Sequence, residues 1–129
     1  MLLHACKAKI HRATVTQAEL NYVGSITIDE DLLDAAGIRP YQYLNITSIA
    51  NGTFWRTYAM AGERGSGMIC LNGSPAHHFK PGDLVIILAE VLVEPHEMDG
   101  LDPVVVFVDK ENKITEVKKH SLAGHALPQ

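Results

Sequence analysis

The apolar runs of this sequence are short, rich in β-branched residues and separated by turn signals, and that pattern limits the chain to a small β-structure. Lys9 to Thr16 (KIHRATVT) alternates in polarity and ends in β-branched residues, so it reads as a strand. Ser25 to Ile28, Tyr43 to Ala50, Phe54 to Ala61, Met68 to Leu71, Leu84 to Val93 and Val104 to Val108 read the same way. Asn51-Gly52 is a strong hairpin signal between the third and fourth of these runs. Asn72-Gly73-Ser74-Pro75 and Lys80-Pro81-Gly82-Asp83 are turns by composition.

One segment departs from strand periodicity. After an acidic start at Asp29 come Leu32, Leu33, Ala35 and Ala36, then Gly37 and Pro40. Asp29 or Asp31 can cap a short helix here, and Gly37 can stop it. Evenly spaced short strands with one or two short helices imply a mainly β fold, a small barrel. Val104 to Val108 lacks polar alternation, so both of its faces are expected to be covered, and Leu84 to Val93 is expected to be a buried strand. Residues 1–129 fit a single domain, with a polar tail from roughly 110 to 129 and a loose end over the last ten residues.

Several function classes are excluded. The net charge is −4, and Lys7 to Arg12 and Lys118-Lys119 are too short for a nucleic-acid footprint. The longest apolar run, Leu84 to Val93, is half a membrane span and contains Glu90. Cys6 and Cys70 form no CxxC, which favours reduced thiols and a cytoplasmic location. Seven histidines show no HExxH and no spaced pair backed by a carboxylate, so no metal is expected. His11 shares a strand face with Lys9. G-x-S-x-G and a phosphate loop are both missing.

Three Gly-Ser pairs remain, Gly24-Ser25, Gly65-Ser66 and Gly73-Ser74. In such a pair the hydroxyl can attack the preceding carbonyl, shift the acyl group from N to O, and break the chain by β-elimination. Glycine before the serine tolerates backbone angles closed to other residues. On chemistry alone that signal is weak, and an ordinary turn is by far the commoner explanation for each pair.

Context selects the first pair. Lys9-Ile10-His11-Arg12-Ala13-Thr14-Val15-Thr16, then Leu20-Asn21-Tyr22-Val23-Gly24-Ser25-Ile26-Thr27-Ile28-Asp29, closely resembles the N-terminal part of the pyruvoyl-dependent aspartate 1-decarboxylases. The likeness continues through Asp34 to Ile38, Asn51-Gly52, Thr57-Tyr58-Ala59, Gly62 to Ser66, Asn72-Gly73 and Gly82 to Ile87, over roughly residues 1–110. The resemblance implies a six-stranded double-psi β-barrel and a homotetramer with active sites between subunits. It also implies cleavage between Gly24 and Ser25 into a β chain of residues 1–24 and an α chain of residues 25–129, unaided or with a maturation factor. Ser25 would become a covalent pyruvoyl cofactor. Its ketone would condense with the substrate amine, and CO2 would leave aspartate to give β-alanine for pantothenate synthesis.

The resemblance assigns proton donation to Tyr58, a phenol that otherwise reads as a half-buried strand aromatic. It assigns substrate contacts to Lys9, Thr57, Asn72 and Gly73, and to the positions of Ser74 and Pro75. Two positions depart from the family. The family has an Arg two residues after the Asn-Gly turn, where this chain has Phe54 followed by Trp55; the nearest guanidinium is Arg56, on the same strand face roughly 7 Å away. Ser74-Pro75 replaces Ala-Ala, and Pro75 has no backbone N–H to offer an anion. Both changes fall on the substrate pocket and leave the cleavage motif intact. They keep open a less acidic substrate, such as methionine. A non-catalytic barrel used as a binding module is the reading from another class.

Overall fold

The structure, a computed structural model, describes residues 1–19 and 24–120. Among the described residues nine strands run in chain order: β1 (Leu3–Thr14), β2 (Gln17–Glu19), β3 (Ser25–Asp29), β4 (Tyr43–Ser48), β5 (Phe54–Gly62), β6 (Ile69–Asn72), β7 (Leu84–Val93), β8 (Val104–Val108) and β9 (Ile114–Lys119). A helix, α1 (Glu30–Ala36), follows β3, and 3-10 turns occupy Ser74–His78 and Pro95–Gly100. Among the described residues, no helix is long and apolar enough to cross a membrane.

The strands form one mixed sheet in the order β2-β6-β3-β5-β4-β7-β1-β8-β9. The pairs β1/β8, β2/β6 and β3/β5 are parallel, and the others are antiparallel. Five strands separate β1 from β2 in this order, which in a flat sheet would place them roughly 29 Å apart. Yet only Val15 and Thr16 join them, a reach of about 10 Å. The sheet must therefore curl until β2 extends β1. Backbone bonds pin the seam: Val15 N–H donates to Asp83 O at 2.8 Å, and Thr16 N–H donates to Ile69 O at 2.8 Å.

The resulting ring, counting β1 and β2 as one strand, has the six members expected. It differs from the expectation in being closed by chain continuity rather than by an unbroken ladder, and in carrying β8 and β9 outside it. Part of the polar stretch expected from residue 110 is held in the sheet: Ile114–Lys119 forms β9 along β8. Its side chains are largely exposed, so the ladder bonds rather than apolar burial hold it. Most of the loose end, residues 121–129, lies outside the described residues.

Inside the ring, alternate residues build the core: Ile10, Ile26, Ile28, Leu44, Ile46, Ile69, Leu71 and Ile87, closed at its ends by Leu32, Leu33 and Phe79. Leu84–Val93 buries only one face, with Val85, Ile87, Ala89 and Val93 inward and Ile86 and Leu88 half-exposed. β8 likewise buries Val105 and Val106 and leaves its other residues half-covered. Tyr43–Ser48 and Phe54–Gly62 meet through the Asn51-Gly52 turn as the sequence indicates, with Gly52 at φ 72°.

Two polar side chains lock the far end of β3. Asp29 caps α1 by accepting from Asp31 N–H at 2.9 Å, and it also accepts from Gly65 N–H at 3.1 Å and Gly67 N–H at 2.8 Å. Gly37 ends the helix in the left-handed region at φ 69°. Buried Asn112 accepts from Thr14 N–H and donates to Thr14 O and Gly67 O, each at 2.8 Å. Leaving such buried groups unpaired costs about 1–3 kcal/mol each.

Two predictions follow from this end of the barrel. Gly67 sits at φ 70°, and a Cβ there would collide with the Glu111 carbonyl oxygen, whereas Gly52 faces open space. Urea unfolding should show Gly67→Ala losing at least ~2 kcal/mol, and Gly52→Ala no more than about 1 kcal/mol, the cost of positive φ alone. Burial opposes ionisation of Asp29, but the three amide donors and Lys113 outweigh it and hold the carboxyl below its usual range. Its contribution is therefore complete above the unfolded carboxyl value near pH 4 and disappears as pH falls through the lower folded value. Between pH 7 and pH 3, wild-type urea midpoints should fall more steeply than those of Asp29→Asn.

Candidate active site

The site lies on the outer side of the sheet and follows from strand alternation. Ile26 and Ile28 of β3 and Ile69 and Leu71 of β6 face the core. Their neighbours Ser25, Thr27, Cys70 and Asn72 must therefore face the other way. The register sets Ser25 opposite Asn72 and Thr27 opposite Cys70, so the four side chains meet on one face. β2 adds Gln17 and Glu19, paired with Cys70 and Asn72. β5 adds Tyr58 and Met60. With Tyr41 and Met68 these residues line a cavity of about 560 Å³.

The Asn72 carboxamide organises the floor. Its Nδ2 donates to Ser25 Oγ and to Thr27 Oγ1, both at 3.1 Å, and its Oδ1 accepts from the Cys70 thiol at 3.3 Å. Ser25 is 6% exposed and Asn72 7%, so these bonds lie largely out of water. Gly73 follows at φ 107°, with its N–H donating to Glu19 O at 2.7 Å, and leads into the Ser74–His78 turn. A Cβ on Gly24 would stand 3.8 Å from the Asn72 carbonyl oxygen, an ordinary contact, so space alone does not demand glycine before Ser25.

Tyr58 is held by two aromatic neighbours. Tyr41 stacks on it at 6.0 Å between centroids, and Tyr43 tilts against it at 6.1 Å. Tyr41 takes an unusual φ of 71°, and its N–H donates to Ala59 O at 2.7 Å. Beyond Tyr43 lies Arg56, its guanidinium 5.3 Å over the Tyr43 ring and 3.5 Å from Glu90. Glu90 also accepts from the Asn45 side chain and, at 3.1 Å, pairs with His4 Nδ1. The Asn45 bond, aided by His4 and Arg56 against partial burial, holds the Glu90 carboxyl below its usual range.

Of the residues picked out by sequence, the structure brings Ser25, Asn72 and Tyr58 to one cavity. It does not bring the others there within one chain. Lys9 is half-buried on β1, opposite Leu88 of β7. Thr57 points the other way from Tyr58 and is 5% exposed. Arg56 is engaged by Glu90, Ser74 is exposed, and Pro75 belongs to the 3-10 turn. Phe54 is 62% exposed on the outer face. Sequence reasoning missed Thr27 and Cys70. The alternations Ser25-x-Thr27 and Cys70-x-Asn72 carry their signal once the strand register is known.

Comparison with known proteins identifies the family. The sequence profile of the aspartate decarboxylase family matches residues 1–115. The aspartate 1-decarboxylase of Carboxydothermus hydrogenoformans is 52% identical over 124 residues, 96% of this chain and 98% of its own. That of Ruminiclostridium cellulolyticum is 53% identical over 119 residues, 92% of this chain and 93% of its own. That of Lactiplantibacillus plantarum is 49% identical over 130 residues, covering 98% of this chain and all of its own (100%). A buried serine and a tyrosine sharing a cavity on a small barrel thus belong to a carboxy-lyase. The chain is a member of the aspartate decarboxylase family.

Proposed function

We propose that this chain cleaves itself between Gly24 and Ser25, converts Ser25 into a pyruvoyl group, and decarboxylates aspartate to β-alanine. The observation that carries this reading is the Ser25 hydroxyl, buried at the start of β3 and bonded by the Asn72 amide inside the cavity that Tyr58 also lines. The cysteines, both free, fit a reducing cytoplasm as its location.

The cleavage chemistry balances with groups at hand. Ser25 Oγ attacks the Gly24 carbonyl carbon, the Gly24–Ser25 C–N bond breaks, and the hydroxyl proton passes to the released amine, leaving an ester. Loss of the Ser25 Cα proton then breaks Cβ–Oγ, and Gly24 departs as a carboxylate that keeps Oγ. The remaining dehydroalanine tautomerises to an imine, and water hydrolyses it to the ketone with release of ammonia. Negative charge develops on Oγ in the second stage, where the Asn72 Nδ2–H already points.

The surroundings fit a pyruvoyl group. Ser25 opens its strand with its side chain in the cavity, so a carbonyl at its Cα stays beside that space. Such a group supplies a ketone for the substrate amine and a sink for the electrons left when CO2 departs. Tyr58, fixed between Tyr41 and Tyr43, presents a phenol to the same cavity as general acid.

A homotetramer with shared sites is part of this proposal. Among the described residues lining the cavity there is no Lys or Arg, and Glu19 adds negative charge. Aspartate brings two carboxylates, so a cation must come from a neighbouring copy, and Lys9 on the outer side of β1 is the residue for it. Arg56, next on β5 to Tyr58's face, is a second cation once it leaves Glu90. The same pair supports a second reading: with Phe54 exposed and Arg56 neutralised by Glu90, the pocket suits a less acidic amino acid.

Mass spectrometry and a denaturing gel of purified protein should show fragments 1–24 and 25–129, the second with a carbonyl in place of its amino terminus; a chain that never splits would support the binding-module reading. Ser25→Ala should stay full-length, folded and inactive. Tyr58→Phe should still cleave while turnover falls about 10²-fold or more. Aspartate should yield β-alanine in a substrate panel; turnover of methionine or leucine without it would establish the second reading. Mixing the inactive Lys9→Ala and Ser25→Ala chains during refolding should restore partial activity, and no restoration would place Lys9 outside the neighbour's site.

A further inference from the structure

We propose that Cys70 is a positioning residue for self-cleavage: its thiol fixes the Asn72 carboxamide so that Nδ2, and not Oδ1, faces Ser25 Oγ. This inference rests on the self-cleavage reading above. A carboxamide has two ends of nearly equal size, one a double donor and the other an acceptor, and a half-turn exchanges them. The two hydroxyls on the Nδ2 side, Ser25 and Thr27, do not decide between them, because a hydroxyl donates and accepts equally well. Cys70 does decide. A thiol is a donor first and only a weak acceptor, and at 3.3 Å it faces Oδ1. Among the described residues Oδ1 has no other hydrogen-bond partner.

The position of Cys70 suits this task. It lies two residues before Asn72 on β6, so both side chains share a face and a rigid backbone. It is 5% exposed, which shields the bond from water. Burial, assisted by the charge of Glu19, raises the thiol above its usual value and keeps its proton in place at neutral pH. With the carboxamide held this way, an N–H meets the charge that gathers on Oγ as Cβ–Oγ breaks. Turned over, it would set a carbonyl lone pair against that charge.

The test compares Cys70→Ala and Cys70→Val, which remove the donor, with Cys70→Ser, which keeps nearly the same volume but accepts as readily as it donates. The full chain is purified rapidly, and appearance of fragment 25–129 is followed by gel and mass spectrometry alongside thermal melting. All three variants should cleave about fivefold more slowly than wild type with unchanged melting, as for one neutral hydrogen bond. Ala and Val variants cleaving at the wild-type rate would overturn the inference while leaving self-cleavage intact. Cys70→Ser cleaving at the wild-type rate while Cys70→Ala is slow would overturn it too, by assigning the effect to packing rather than to a donor-only neighbour. Wild-type protein that never cleaves would instead remove the self-cleavage reading, and this inference with it.

Discussion

Everything in this molecule follows from the two-residue step between β1 and β2. Val15 and Thr16 carry the chain from one side of the sheet to a strand that lies six places away in hydrogen-bonding order, with five strands between. That geometry leaves the sheet no option but to roll up. Once rolled, each strand has an inside and an outside, and the period-two alternation of its side chains becomes a partition between core and surface. β3 and β6 show the result most plainly: the isoleucines and Leu71 fill the interior, and the intervening hydroxyl, thiol and carboxamide groups all emerge at one place outside. Ser25 is thus buried without being part of the hydrophobic core. It can be shielded from water while keeping polar partners.

The two ends of β3 serve opposite purposes. At one end Ser25 is held by a single side-chain amide beside an open cavity. At the other, the Asp29 carboxylate accepts three backbone donors, and Asn112 ties β1 to the loop before β6. The side-chain hydrogen bonds are concentrated at the Asp29 end, where they fix the height and register of the strand.

Much of this was legible in the sequence. The Asp29 cap and Gly37 stop defined α1, Asn51-Gly52 defined the β4–β5 hairpin, and the apolar alternations marked the principal strands. β2 and β9 were not legible, because Gln17–Glu19 and Ile114–Lys119 are held through their ladders and bury little. Ser25, Asn72 and Tyr58 were found through family resemblance, and neither periodicity nor composition distinguishes Gly24-Ser25 from the other Gly-Ser pairs. Thr27 and Cys70 depend on a register that only closure of the barrel sets. Lys9 and Thr57 were placed at the site by resemblance and Arg56 as the guanidinium nearest the missing Arg; within one chain none of them lines the cavity, Lys9 and Arg56 standing on the outer face and Thr57 turning inward.

Asn112 gives the segment after β8 a meaning that its polar composition conceals. Its side chain substitutes for a missing strand neighbour: it satisfies both the N–H and the C=O of Thr14 as a paired backbone would, and reaches Gly67 as well. Thr14 is the last residue before the step that closes the barrel. A chain ending at residue 110 would therefore keep every strand of the ring and still weaken its seam, because the groups at the joint would face an interior with nothing to answer them.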